Sequence, residues 1–434
     1  MESSIRRQKL KEIQENQSYL VMTGVPLSYK GDTKRVNVYK IPLEYLIYNK
    51  YNGRIGSEVK SYERQYRPLN AENETDKKYI EKLLFDSSSD RNKSTMKSLI
   101  DIKQQRHGIV TEDGVIIDGN RRAMLLNKIV SEQKNGNIPN SFENIQHCTY
   151  FLAIILPDKA EERDIQQLEA TYQMGEDSKV DYNAIQKYLK CADLKRVGFE
   201  NNKIAEFMGE KPQQIDKYFS ILKLMEDYLE SYGYQGIYTR LEKTEGPFVD
   251  LEGYIDSYKK ESANAKTDWA FDESDISDLK AVCFDYIRAR YEGKEFRDIG
   301  KTGRKGYASI FTSKEIWESF LQEHIDKVPI DSKTTDELRA EHEGEDFSIL
   351  FKARDTDWAN QATNVLVGNL KKHYNRLENK REASDPIRLL EKALDILDTV
   401  DTTQESFYKN EAVEQCVKQI NKISWEMKKL LDKR

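Results

Sequence analysis

The segment His107–Leu126, HGIVTEDGVIIDGNRRAMLL, restricts the fold of this chain more than any other. Glu112-Asp113-Gly114 carries turn chemistry, since Asp-Gly tolerates the positive φ that tight hairpins demand. Val115-Ile116-Ile117 is β-branched throughout, as a buried strand prefers. Asp118-Gly119-Asn120 halts that strand and offers a capping side chain to a following helix. Arg121 and Arg122 fall in the first turn of that helix, which Ala123, Leu125, Leu126 and Ile129 continue. Strand, tight turn and helix follow one another without a linker, so the local unit is α+β.

Two arginines at a helix start need an explanation. A helix N-terminus presents unpaired N–H groups and the positive end of the dipole, which suits anions and disfavours cations. Arg121 and Arg122 therefore point to a phosphate or carboxylate partner. The plainer alternative is a structural turn in which both arginines pair with Asp118 and nearby surface acids.

The flanking segments supply an order of elements. Val36–Ile41 alternates as a strand should and Pro42 closes it. Leu43–Tyr48 leads into the loop Asn49-Lys50-Tyr51-Asn52-Gly53-Arg54-Ile55. Residues 56–92 are polar, with a helix around Asp76–Phe85 and a Ser-rich tip; a segment of this length reads as a lid or a disordered excursion. Thr95–Gln105 has a helical period and ends at His107-Gly108. His147–Leu156 is a strong closing strand ended by Pro157. Strand, helix, strand, arginine turn, helix, strand makes a compact unit over residues 36–157, with residues 1–35 as an N-terminal arm.

Asp118-Gly119-Asn120-Arg121-Arg122, after its Gly-x-Ile-Ile strand, resembles the arginine turn of the ParB/sulfiredoxin-like superfamily. The Asn-x-x-Asn-Gly-Arg loop resembles the first box of ParB-type domains, which ends in an arginine near the nucleotide. The resemblance implies a small ParB/sulfiredoxin-like domain followed by mostly α-helical domains. It implies Arg54, Asp118, Gly119, Asn120, Arg121 and Arg122 as ligands of a nucleoside triphosphate, CTP or ATP, accompanied by Mg²⁺. Gln167–Gln173 stands where ParB proteins carry a Glu-Asn-x-x-Arg box. Only Glu169 matches; Ala170 replaces the asparagine and no arginine follows. Glu169 is thus a candidate base or metal-side carboxylate, or a helix-surface acid, and hydrolysis is less supported than binding. No cysteine lies at the turn, so sulfinic-acid chemistry has no thiol there.

Further on, a helix over Val180–Leu189 with its cap at Asp181 precedes Phe199–Met208, capped by Asn201. A turn at Gly209–Pro212 leads to Gln213–Leu222. Ile-Ala-x-x-Met-Gly followed by Ile-x-x-Tyr has helix-turn-helix spacing and resembles the central module of ParB proteins, placing a second domain at 158–235. Lys211, Gln213, Gln214, Lys217 and Tyr218 are the expected outward face, lysines to phosphates and glutamines to base edges. A helical hairpin that merely buries the same apolar residues is the alternative.

Charge bears on that choice. Residues 1–157 carry 25 Lys/Arg against 19 Asp/Glu, a balance of +6, while the remainder carries 44 against 56, a balance of −12. Local patches, not overall charge, would have to hold DNA.

Residues 236–434 form a helical C-terminal region without a chemical motif. Gly300–Gly306 misses the P-loop spacing and reads as a basic loop. From Asp385-Pro386, with Ser384 as a possible cap, Ile387, Leu390, Leu394 and Leu397 form one apolar stripe. Val413, Val417, Ile420, Trp425, Met427 and Leu431 form another, so a hairpin here packs internally or builds a homodimer. Four scattered cysteines give neither a disulfide framework nor a zinc site and read as buried thiols. No run approaches the ~20 apolar residues of a membrane span, and the N-terminus lacks an apolar signal core, so a cytoplasmic protein is expected. Nucleotide-dependent DNA binding leads. A nuclease or phosphotransferase at the same turn, or a non-enzymatic subunit of a DNA-processing or phage-defence system docking through its C-terminal helices, are the alternatives.

Overall fold

The computed structural model describes residues 1–138, 142–174, 183–262, 265–290, 296–302, 308–330, 333–342, 346–383 and 386–432. The N-terminal half holds a six-stranded mixed sheet in the order β1-β2-β6-β4-β5-β3. Its strands are β1 (Leu20–Tyr29), β2 (Asp32–Pro42), β3 (Ile47–Tyr48), β4 (Gly108–Val110), β5 (Val115–Asp118) and β6 (Tyr150–Ile155). β4 runs parallel to β6 and β3 parallel to β5; the other neighbours are antiparallel. Helices α1 (Ser3–Glu15), α2 (Gly56–Gln65), α3 (Glu74–Asp86), α4 (Ser89–Asp101), α5 (Asn120–Lys134) and α6 (Phe142–Ile145) belong to the same unit.

Side-chain alternation explains why the sheet is covered on both faces. Val110, Ile116, Phe151, Ala153 and Ile155 pack with α3, α4 and α5. Their chain neighbours Ile109, Ile117 and Ile154 point the other way, with Leu27 and Val38, toward Leu168. A run such as Val-Ile-Ile thus serves two cores at once.

Two expectations are corrected here. Residues 1–35 are no arm: β1 pairs along β2, and α1 buries Leu10, Ile13 and Arg6. Arg6 donates from Nε to the Asp113 carbonyl and from Nη2 to Glu72 at 2.7 Å, so α1 clasps the β4–β5 hairpin. Strand pairing uses backbone groups, which a charge-rich composition does not reveal. Residues 56–92 are neither a lid nor an excursion, because Val59, Ile80 and Leu84 are buried in the sheet's core.

The helical half comprises α7 (Glu162–Glu169), continued by a π-helical turn at Ala170–Met174, then α8 (Ala184–Arg196), α9 (Asn201–Met208), α10 (Pro212–Ser231), α11 (Glu245–Lys259), α12 (Glu273–Arg288) and α13 (Arg297–Gly300). It continues with α14 (Lys314–Lys327), α15 (Thr335–Glu341), α16 (Phe347–Ala383), α17 (Pro386–Asp398), α18 (Glu405–Lys409) and α19 (Glu411–Leu431). This is the α+β arrangement the sequence implies, a mixed sheet followed by helices. One core runs from Ile185 to Leu377 and includes Leu222, Met225 and Tyr228 of α10 beside Phe248, Phe284 and Phe351. A boundary at 235/236 therefore falls inside this single core.

Helix ends differ in detail from the reading above. Asn183, not Asp181, caps α8, its side chain accepting the Gln186 N–H at 2.8 Å. Glu200 is the N-cap of α9, and Asn201 is its first residue. Asp181, Ser384 and the Gly303–Gly306 part of the basic loop lie outside the described residues. Three cysteines are buried, but Cys416 is exposed, because the helices that carry it do not pack on the body. Among the described residues no helix is long and apolar enough to cross a membrane.

Candidate functional site: a cationic cavity at the arginine turn

The turn is shaped by one aromatic ring. Gly119 has φ 97°, and a Cβ there would lie 2.6 Å from Cζ of Phe151. A Cβ on Gly108 would lie 2.4 Å from the same atom and 2.4 Å from the Asp118 carbonyl. Only glycine fits at either place, and together they let β4, the turn and β6 close on the buried Phe151. Arg122 rests its guanidinium over that ring, 5.7 Å from the centroid.

Around the turn lies a cavity of about 340 Å³. Arg54, Lys103, Arg106, Arg121 and Arg122 line it, against one carboxylate, Asp118. Residues some 70 positions apart in sequence thus converge, and the local charge is strongly positive. Arg121 is aimed by Asn92, whose Oδ1 accepts its Nη2 at 3.0 Å. Arg122 donates to the Arg106 carbonyl. Burial presses the Arg122 guanidinium below its ordinary range; Asp118 opposes that shift and Arg106 adds to it. An anion entering the cavity would relieve the crowding of like charges. The N-cap of α5 is Gly119, which has no side chain to cap the helix.

The Arg54 loop is built from two Asx turns. Asn49 Oδ1 accepts the Tyr51 N–H at 3.0 Å, and Asn52 Oδ1 accepts the Arg54 N–H at 3.1 Å. Three buried groups hold it. Asn120 Oδ1 accepts the Asn49 N–H at 2.9 Å while its Nδ2 donates to the Ile116 carbonyl at 2.8 Å. Glu169 Oε1 accepts the Gly53 N–H at 2.5 Å. Gln186 Nε2 donates to the Arg54 carbonyl at 2.5 Å.

These contacts reassign two expected site residues. Asn120 lines the cavity but is 2 % exposed, with both ends of its carboxamide already used, so it positions the loop. Glu169 does not line the cavity. Its Oε2 pairs with Lys190 at 2.7 Å, both side chains almost fully buried, which corrects the reading of Glu169 as a base: the carboxylate is spent on an ion pair and a backbone N–H.

Lys103 and Arg106 escaped the sequence reading, although the run Lys-Gln-Gln-Arg before His107-Gly108 was a visible signal. Their loop is fixed by Gln104, whose side chain donates to the Tyr150 carbonyl at 2.7 Å and accepts the Leu152 N–H at 3.2 Å, mimicking a strand along β6. Lys103 adopts φ 64°, a left-handed conformation costing a non-glycine residue roughly 1–2 kcal/mol. Strain of this kind gathers where a side chain must be aimed.

The helix-turn-helix spacing yields a three-helix unit. Ile204, Ala205, Met208 and Ile215 share a core with Cys191 and Leu194 of α8, and Gly209 ends α9 at φ 62°. Lys211 and Gln213 are exposed; Gln214 and Lys217 are half-buried. Tyr218 is a correction. Its ring packs 4.9 Å from that of Tyr188 and its hydroxyl donates to Glu210 at 3.3 Å, so it faces inward. Acids dilute the outer surface: Asp216 bonds Asn201 and Glu206 pairs with Lys203.

Compared with known families and with curated proteins, the chain matches no family model and no curated protein.

Proposed function

We propose that the cavity at the arginine turn binds the phosphate chain of a nucleoside triphosphate, CTP or ATP, and that the unit formed by α8, α9 and α10 contacts DNA. The supporting observation is the convergence of five cations on one cavity at the start of α5, with Asp118 as the one carboxylate in its lining among the described residues. Arg121 and Arg122 neutralise phosphate oxygens, Arg54 closes from the facing loop, and the first-turn amides of α5 donate to them. The lack of a Cβ at Gly119 brings backbone close to the anion.

Mg²⁺ fits this donor set as an ion carried by the nucleotide. It keeps several waters and takes one or two carboxylates plus phosphates, and Asp118 is placed to supply one ligand. Among the described residues no three His, Cys, Asp or Glu side chains cluster as a metal site. With Glu169 sequestered and no carboxylate but Asp118 in the lining among the described residues, binding is favoured over nuclease or phosphotransferase chemistry. Lys211 and Gln213, with Gln214 and Lys217 beside them, form the DNA-facing edge.

Isothermal titration of the full chain with CTP, ATP and GTP in the presence of Mg²⁺ tests the reading. One nucleotide should bind saturably, and the Arg121→Ala/Arg122→Ala variant should lose that binding; no binding by any of the three would sink it. A gel-shift series with Lys211→Ala/Gln213→Ala tests the DNA contact.

A further inference from the structure

A second and larger cavity, about 800 Å³, lies where the end of α2 meets the helical body. This volume falls within the range of small-molecule pockets. Its cations are Arg64 from α2, Arg288 from α12, Lys333 and Arg339 around α15, and Arg354 from α16. The carboxylates in its lining are Asp285 and Asp336.

The basic wall is rigid. Arg288 is buried, its guanidinium held between the Tyr232 ring at 4.6 Å and the Trp358 ring at 4.4 Å. Tyr232 donates to Asp285 at 2.8 Å, and Trp358 Nε1 donates to the Pro329 carbonyl at 2.6 Å. Arg354 donates to the Tyr232 carbonyl at 2.8 Å.

Among the described residues Lys333 pairs with Glu341, whereas the arginines have few acceptors. One carboxylate, Asp355, serves Arg240 and Arg288 and lies 3.9 Å from Arg354. Asp285 already accepts from Tyr232 and lies 3.0 Å from His324 Nε2. Asp336 reaches Arg339 only at 3.8 Å and is almost wholly exposed. Two lining arginines, Arg339 and Arg354, keep a buried Nε–H without a hydrogen-bond acceptor. Buried polar groups are nearly always paired, so a site with spare donors, excess positive charge and open volume is suited to a ligand that brings acceptors. Ile325 and Ile330, both largely exposed, add an apolar rim.

We infer that this cavity is a second binding site, for a phosphorylated small molecule whose oxyanion meets Arg339 and Arg354 and whose apolar part lies against Ile325 and Ile330. The inference stands on its own residues and does not need the arginine turn.

The test uses the full-length Arg121→Ala/Arg122→Ala protein, which silences the first cavity, titrated calorimetrically with inorganic pyrophosphate. One saturable event is expected, weakened at least tenfold by adding Arg354→Ala and severalfold by adding Arg339→Ala. Arg339 lies at the rim and its removal leaves the core intact, so that variant reads the site even where loss of Arg354 unfolds the chain; thermal melting checks this. Absence of saturable binding in the silenced background, or binding that Arg339→Ala leaves unchanged, overturns the inference without touching the reading of the arginine turn.

Discussion

Asn120 accepts the backbone N–H of Asn49 at 2.9 Å, and this buried contact ties the arginine turn to the loop carrying Arg54. Replacing Asn120 by alanine leaves the Asn49 N–H buried without its acceptor, at about 1–3 kcal/mol. Urea unfolding should show that loss, and nucleotide affinity should fall with it because Arg54 is released from the opposite wall. A variant of unchanged stability would show that the loop is held in other ways.

Glu169 and Lys190 give the second prediction. Glu169→Ala leaves a buried ammonium without its carboxylate, held only by Gln166 Oε1, which costs about 3–5 kcal/mol. The double variant Glu169→Leu/Lys190→Met should recover most of that stability, since apolar pairs often replace buried ion pairs without penalty. It cannot restore the acceptor for Gly53 N–H. Recovered stability with weakened nucleotide binding is therefore expected, whereas full recovery of both would reduce Glu169 to a structural acid.

The first prediction rests on residues that stood out in the sequence, the second on one whose role did not. Val115-Ile116-Ile117 and the Gly119 turn were legible because β-branching and backbone conformation are local properties. The convergence of Arg54 with Arg121 and Arg122 came from resemblance, not from spacing. Lys103 and Arg106 stand in a visible basic run, but only tertiary folding brings them, and Gln186, to the turn. Glu169 was misread for the same reason: its ion-pair partner sits on α8, and periodicity says nothing of a contact between helices. Tyr218 shows the limit of helical-face arguments, since an amphipathic aromatic can bury its ring and still satisfy its hydroxyl.

Gly119→Ala should destabilise the chain twice over. The left-handed backbone costs a side chain roughly 1–2 kcal/mol, and crowding against Phe151 adds about 1–3 kcal/mol. A double-mutant cycle with Phe151→Ala separates the two, because removing the ring relieves only the crowding. Equal effects of Gly119→Ala in both backgrounds would mean that Phe151 does not shape the turn.

Acid should loosen the protein through identifiable carboxylates. The two-pronged hydrogen bond from Arg67, together with the Asn70 N–H, holds Asp76 down at about 2. Lys327 and Lys372 hold Glu323 at about 2. Both lie below the ordinary carboxylate range near 4. The stability they contribute is therefore fully present above about pH 4 and is lost as pH falls from there toward 2. Melting temperatures across that window should decline, and Asp76→Asn should flatten part of the decline; an unaltered slope would place the sensitivity elsewhere.

The last prediction concerns α17 and α19, which have no buried side chain among those described. Ile387, Leu390, Leu394 and Leu397 keep heptad spacing, as do Val417, Ile420, Met427 and Leu431, and all eight are exposed. An apolar surface of this extent marks an interface. On charge, a second copy is the expected partner. Asp395, Asp398, Asp401, Glu411 and Glu414 gather toward the α17–α19 connection, and Lys418, Lys422, Lys428 and Lys429 lie further along α19. Two copies related by a two-fold axis would set the acidic end of each against the basic end of the other, the self-complementary pattern of an isologous dimer. Sedimentation should give a dimer for the full chain and a monomer after truncation following residue 383. The truncated chain should melt within a few degrees of the full-length monomer, because the removed helices bury nothing against the body. Reversing the charge of Lys428 and Lys429 to glutamate should weaken the dimer, with partial recovery on adding Asp395→Lys and Asp398→Lys. A full chain that sediments as a monomer at tens of micromolar would refute the pairing.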